Sequence, residues 1–180
     1  PTRRSSDLNT CIGNGQEGLT IYGGDKKVTS GNSLIGNVSK NNRFNQIEVW
    51  QTKNNIVKNN TVEESIKGVG NLGAICLYET SNTTATGNKV LSAQKNGIDI
   101  TAESSNNIVS NNIINNTNGE NDNKAPEKGN GILLDSNGKA QPHHITIKDN
   151  KISSSNGIVS KSGIYSTSNT NRSEEHTSEL

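Results

Sequence analysis

Aromatic side chains are scarce in this 180-residue chain: Phe, Trp and Tyr make up 3% of it, and hydrophobic residues together only 27%. Leu, Ile, Val and Phe number 37, close to the level at which disorder becomes the default. Met is absent, Pro occurs three times and Cys twice. Cys11 and Cys76 define neither a metal spacing nor a disulfide framework. No run of about 18 apolar residues exists, so this segment holds no membrane span. Charge of one sign is missing too: 18 Lys and Arg face 17 Asp and Glu, for a net +1. Without a basic stripe there is no reason to expect a nucleic-acid or anionic-membrane partner. Two features oppose disorder, namely the near-zero net charge and the periodic placement of the few apolar residues.

Asn is abundant, with 30 residues, and it is placed in rhythm. An Asn followed two positions later by an aliphatic residue recurs in Asn32-Ser33-Leu34, Asn60-Thr61-Val62, Asn88-Lys89-Val90, Asn112-Ile113-Ile114 and Asn150-Lys151-Ile152. The spacings are 28, 28, 24 and 38 residues. A second phrase keeps step with the first: Leu19/Ile21, Ile47/Val49, Ile75/Leu77, Ile98/Ile100 and Ile132/Leu134. Alternation with a period of two over three to five residues means short strands with one buried face, and excludes helix. Repeats of about 24 to 28 residues then hold three strands and three turns each.

The predicted fold is therefore all-β: a right-handed parallel β-helix solenoid of about five to six coils, stacked ~4.8 Å apart. Its core is one narrow column of Ile, Val and Leu, which accounts for the low apolar content. Asn32, Asn60, Asn88, Asn112 and Asn150 are assigned two structural tasks, the left-handed backbone of a tight turn and an amide ladder from coil to coil. Gly18, Gly97, Gly131 and Gly163, just before strands, are assigned to turns.

The two ends do not share this rhythm. Residues 1–8 (PTRRSSDL) and 172–180 (RSEEHTSEL) resemble translated sequencing adapters, and are expected to be foreign and to form no coil. Residues 9–171 are then a β-helix fragment, truncated at both ends. The competing reading is a basic arm at Arg3 and Arg4 and an acidic tail at Glu174, Glu175 and Glu179.

Residues 96–114 (NGIDITAESSNNIVSNNII) and 54–62 (NNIVKNNTV) resemble the repeats of the pectate-lyase-like superfamily of parallel β-helices, and the likeness runs over nearly all of 9–171. It implies an extracellular or cell-surface protein of bacterial or phage origin, with polysaccharide or glycan as partner. That superfamily holds lyases, polygalacturonases, uronate epimerases, phage tailspikes and adhesins, so the likeness names no chemistry. The Asn-Thr-Asp, Asp-Asp, Gly-His-Gly and Arg-Ile-Lys set of the polygalacturonases is missing, as is the Asp-Pro-His of the epimerases. No catalytic residue is carried over. Two functions stay open: a carbohydrate-binding or polysaccharide-degrading protein of lyase or glycoside hydrolase type, or a non-catalytic adhesive shaft.

Strand alternation sets which residues face outward. One outer column reads Thr20, Glu48, Cys76, Asp99, Leu133, Tyr165. The next reads Tyr22, Trp50, Tyr78, Thr101, Asp135, Thr167. Tyr22, Trp50 and Tyr78 thus form an aromatic ladder with rungs ~4.8 Å apart, comparable to a sugar ring. With Glu48 they are the expected carbohydrate-binding residues; the β-propensity of Tyr and Trp is the competing account.

Glu48, Glu79, Asp99, Glu103 and Asp135 gather beside the ladder. Asp99 and Asp135, on adjacent coils and offset by two positions, should stand roughly 8 Å apart, which suits inverting glycoside hydrolysis. They are the candidate catalytic pair, and a solvated pair of surface acids is the competing reading. A lyase would need a base such as Lys53 or Lys161, with Ca²⁺ held by acids. No cofactor is identifiable, and Ca²⁺ is left open although the insertion from Asn115 to Gly131 lacks calcium-loop spacing. That insertion should border the groove. His143 and His144 are expected at turn positions held by Asn106 and Asn107 in the neighbouring coil, and no metal site is expected. Nothing sets the oligomeric state.

Overall fold

A computed structural model of the chain describes residues 4–24, 30–66, 72–118, 129–154 and 162–167. The first coil comprises β1 (Ser5–Asp7), β2 (Thr10–Ile12) and β3 (Leu19–Tyr22). The second holds β4 (Ser33–Ile35), β5 (Val38–Lys40) and β6 (Ile47–Trp50), and the third β7 (Ile56–Lys58), β8 (Thr61–Glu63) and β9 (Gly73–Tyr78). The fourth holds β10 (Thr84–Thr86), β11 (Lys89–Ser92) and β12 (Asn96–Thr101). The fifth holds β13 (Ile108–Ser110), β14 (Ile113–Asn115) and β15 (Asn130–Asp135), and the sixth β16 (Thr146–Lys148), β17 (Lys151–Ser153) and β18 (Ser162–Ser166). Each strand pairs in parallel with its equivalents one coil away. The result is three six-stranded sheets: sheet A from β1 onward, sheet B from β2 and sheet C from β3.

The inward side chains stack as the alternation requires. Leu19, Ile47, Ile75, Ile98, Ile132 and Ile164 lie in register along sheet C. Those from Ile47 to Ile132 are fully buried, each worth ~1.5–3 kcal/mol of transfer free energy. Val62, Val90, Ile114 and Ile152 form the column of sheet B. Leu34 is a correction: it stands in sheet A beside Val57, and the residue facing Val62 in sheet B is Ser39. The phrase Asn32-Ser33-Leu34 belongs to the corner between sheets C and A, one corner earlier than the phrases that look like it. Its 28-residue spacing from Asn60 is a coincidence, since the equivalent of Asn60 is Asn37, 23 residues before it.

At the corner between sheets A and B, six asparagines bond end to end: Asn9, Asn37, Asn60, Asn88, Asn112 and Asn150. Each Oδ1 accepts from the backbone N and the Nδ2 of the Asn one coil earlier, at 2.9–3.1 Å. From Asn37 on, each Nδ2 also donates to a strand carbonyl at 2.7–3.0 Å. Asn32 instead bonds Asn55 at the C-to-A corner. The two tasks expected of one Asn are divided between neighbours. The left-handed backbone falls on the residue before each ladder Asn, at Leu8, Gly36, Asn59, Gly87, Asn111 and Asp149, with φ from 53° to 66°.

Gly97 and Gly131 lie inside strands, where close approach and not turn geometry demands Gly. A Cβ on Gly97 would stand 2.4 Å from Ile114 Cγ2 and 2.6 Å from the Gly131 carbonyl oxygen. At the first end, Ser5–Asp7 forms β1 on β4, against the expectation that 1–8 builds no coil. Residues 172–180 lie outside the described residues.

The B-to-C corner carries a second polar chain. Asn42 accepts from Asn14 at 2.8 Å, Gln46 Oε1 accepts from Asn42 Nδ2 at 2.7 Å, and Gln46 Nε2 donates to Glu64 Oε1 at 3.3 Å. Gln94 N donates to Glu64 Oε2 at 2.9 Å. Glu64 is fully buried, and sequence reasoning missed it. Burial pushes its carboxyl up to about 7, against the hydrogen bonds from Gln94 and Gln46 and the pull of Lys95.

Asn59→Gly should cost under about 1 kcal/mol, since Gly keeps the left-handed turn. Asn60→Gly should cost about 3 kcal/mol or more by orphaning partners above and below. Equal urea midpoints for the two variants would contradict this division. Glu64 keeps its proton to about 7 when folded and releases it near 4.5 when unfolded. Between these values the folded state holds more protons, so stability falls as pH rises. Urea midpoints measured from about pH 5 to about pH 8 should drop in the wild type and drop less in Glu64→Gln.

Candidate functional site

Sheet C has the longest strands, and its outer face gathers the aromatics. Tyr22, Trp50 and Tyr78 are in register on β3, β6 and β9, opposite the inward Ile21, Val49 and Leu77. The Tyr22 and Trp50 ring centroids are 4.7 Å apart at 35°, and those of Trp50 and Tyr78 6.0 Å apart at 83°. Tyr22 is 49% exposed and Trp50 37%, while Tyr78 is half-buried. Strand alternation thus places three successive rings on one outward line, as the sequence predicts.

The same line continues through Thr101, Asp135 and Thr167. Asp135 accepts from Thr167 Oγ1 at 2.7 Å and from the Asn137 backbone N at 3.2 Å. Thr101 is buried, and its Oγ1 has no hydrogen-bond partner.

The neighbouring outer column departs from expectation. Thr20 is exposed and Glu48 half-buried, but Cys76, Asp99 and Leu133 are buried, with Asp99 only 2% exposed. Alternation tells which side of a strand a residue takes; it says nothing of what lies over that side. Asp99 is therefore no solvated surface acid. Asn96 Nδ2 approaches its Oδ2 at 3.4 Å, and Oδ1 is unpartnered. Burial pushes the Asp99 carboxyl up to about 7, with the negative charge of Asp135 adding and the Asn96 bond opposing. Cys76, in register with Asp99 on β9, is pushed well up by burial and then by Asp99 and Glu48. Glu48 is also raised, by burial first and then by Glu17, against a 3.0 Å bond from Asn45 Nδ2.

Glu79, just past β9, is left-handed at φ 50° and nearly buried. It accepts from Gln51 Nε2 at 3.3 Å and pairs with Lys139. Lys139 comes from the extra turn at 136–139 that lengthens the fifth coil, and its Nζ lies 5.8 Å from the Tyr78 ring centroid. Sequence reasoning passed it over, although the added residues beside the aromatic line were a visible signal. The Glu79 carboxylate raises the Lys139 ammonium.

Lys53 sits at the C-to-A corner between Ser30 and Ser81, away from the two outer columns. Lys161 and residues 119–128 of the insertion lie outside the described residues. Glu103 is exposed and left-handed, and its N donates to the Ala140 carbonyl at 2.7 Å. His144 has the left-handed backbone of Asn106, while His143 pairs with Ser105, a shift of one residue from the expected equivalence. Among the described residues no group of three or more His, Cys, Asp or Glu converges to hold a metal ion. Among them, too, no helix is long and apolar enough to cross a membrane.

This arrangement offers an outward line of aromatic rings flanked by hydrogen-bonding groups, the chemistry that packs on the carbon-hydrogen face of a sugar ring and holds its hydroxyls. No curated protein matches the chain. Among solved structures, the periplasmic alginate epimerase AlgG matches with a TM-score of 0.57 at 18% identity, over 81% of this chain and 39% of that one. The chain thus spans less than half the length of that epimerase, and the likeness is one of fold. The family described as "Right handed beta helix region" matches residues 6–176, in step with the three parallel sheets. The hand of the coil and the origin of its repeats follow together: the chain belongs to the right-handed β-helix family.

Proposed function

We propose that this chain is the repeat portion of a polysaccharide-associated β-helix protein and binds a glycan along the outer face of sheet C. The observation that carries the reading is the run of three outward rings, Tyr22, Trp50 and Tyr78, with two of them more than a third exposed. A core has no use for rings on this side, and aromatics in register on successive strands repeat at a spacing comparable to that of a sugar chain. Glu48, beside Trp50, supplies acceptors for sugar hydroxyls. A location outside the cytoplasm accords with the periplasmic epimerase of similar fold.

A catalytic reading has one observation in its favour. The Asp99 carboxyl keeps its proton to about 7, as a general acid must, and Asp135 on the next strand acts on it. Its burial ranks this reading second. Acid catalysis by Asp99 requires that Asp99→Asn and Asp135→Asn each abolish release of new reducing ends from a bound polysaccharide; release at the wild-type rate by either variant would leave the binding reading alone.

Trp50→Ala should weaken glycan binding by about 1–3 kcal/mol and leave the fold intact, because little core is lost. Affinity electrophoresis through gels containing a panel of polysaccharides measures this, with far-ultraviolet circular dichroism as the check on folding. Unchanged retardation of the variant would leave a shaft without glycan contact as the better account.

A further inference from the structure

The charges of this nearly neutral chain are sorted by face. The strands of sheets A and B carry Lys58, Lys148, Lys40, Lys89 and Lys151 against Asp7 and Glu63. The six strands of sheet C contain no Lys or Arg at all, and three carboxyls: Glu48, Asp99 and Asp135. The turns that flank these strands carry both signs, Glu17 and Glu103 as well as Lys53 and Lys95. Glu17 is close enough to raise Glu48, and Glu103 close enough to act on Lys139. The described cation that reaches the aromatic line is Lys139, and Glu79 already holds it.

A second feature concerns hydrogen bonding. Next after Tyr78 on the same line is Thr101, and beside it Asp99; both are at least nine-tenths buried, and Thr101 Oγ1 and Asp99 Oδ1 are unpartnered. A hydroxyl and a protonated carboxyl each donate and accept, and so complement a hydroxyl-rich ligand.

From the sorted charge and these unpartnered oxygens we infer that the ladder is selective for neutral glycans and rejects polyuronates, an inference that rests on the ladder being the glycan site. A polyuronate brings a negative charge on every ring, and along the strands of sheet C each would lie against Glu48, Asp135 or their neighbours, with Lys139 already paired to Glu79. Like charges set together across an interface suppress a partner that would otherwise fit. In this the chain would differ from the alginate epimerase that it resembles in fold, whose polymer is a polyuronate.

The test is affinity electrophoresis of the whole chain through gels holding galactomannan or polygalacturonate, at low and at raised salt. Galactomannan should retard the wild type at least about tenfold more strongly than polygalacturonate, and added salt should narrow the gap by screening the repulsion. Glu48→Gln combined with Asp135→Asn should narrow it at low salt as well, with circular dichroism confirming the fold. Retardation by polygalacturonate that equals or exceeds that by galactomannan, and that is lost in Trp50→Ala, would overturn the selectivity while upholding the ladder. No retardation by either polymer would overturn the ladder and the selectivity together.

Discussion

Each Asn at the corner between sheets A and B closes its amide on the coils before and after it, and this fixes the phase of the whole solenoid. The strands of sheets A and B are mostly three residues long, so ladder hydrogen bonds within each are few. A slip of one residue would turn every inward Ile or Val outward, because the side-chain period of a strand is two. The amide stack forbids that slip. Asn60 Oδ1 can hold the N–H of Asn37 only when the two corners coincide, and the same is true at Asn88 and Asn112. Sheet C inherits the register so set, and with it the alignment of Tyr22, Trp50 and Tyr78. The aromatic line on one face thus depends on hydrogen bonds at a corner it does not touch.

How far the sequence discloses this depends on the length over which each cause acts. Strand alternation and the recurrence of Asn are local, and they led directly to a parallel solenoid and to the outward aromatic line. The phase of the coil around Leu34 was not local. It depends on a β3-to-β4 connection with more residues than the one from β6 to β7, and two corners that both use an Asn look alike in one dimension. The division of labour between Asn59 and Asn60 was hidden for a related reason, since adjacent residues of one type share tasks that only φ and hydrogen bonds separate. Gly97 and Gly131 were read as turn formers because a sequence shows a missing Cβ and not the atom that would strike it. The burial of Asp99 and the reach of Lys139 depend on contacts between coils, which no alternation records.

Glu64 and Asp99 both keep a proton to about 7, and in both the first cause is burial. Their surroundings separate them. Glu64 closes a chain of amides at a corner, with a partner for each carboxylate oxygen, and works as a structural joint. Asp99 has one long bond and an oxygen with no partner.

An unsatisfied buried polar group costs about 1–3 kcal/mol, a large share of the net stability of a domain. In a solenoid whose corner amides are so thoroughly paired, such groups on one face of sheet C are out of character. Local rules are most often broken where function requires it, with the cost met by consistency elsewhere. Asp99 Oδ1 and Thr101 Oγ1 break the pairing rule on the face where exposed rings break the placement rule, and where cations are excluded from the strands. Unpartnered buried oxygens also occur at Ser92 in sheet B and at Gln51, and Ile108 and Ile113 are exposed on sheets A and B, so what sets sheet C apart is a line of aromatic rings on strands free of Lys and Arg.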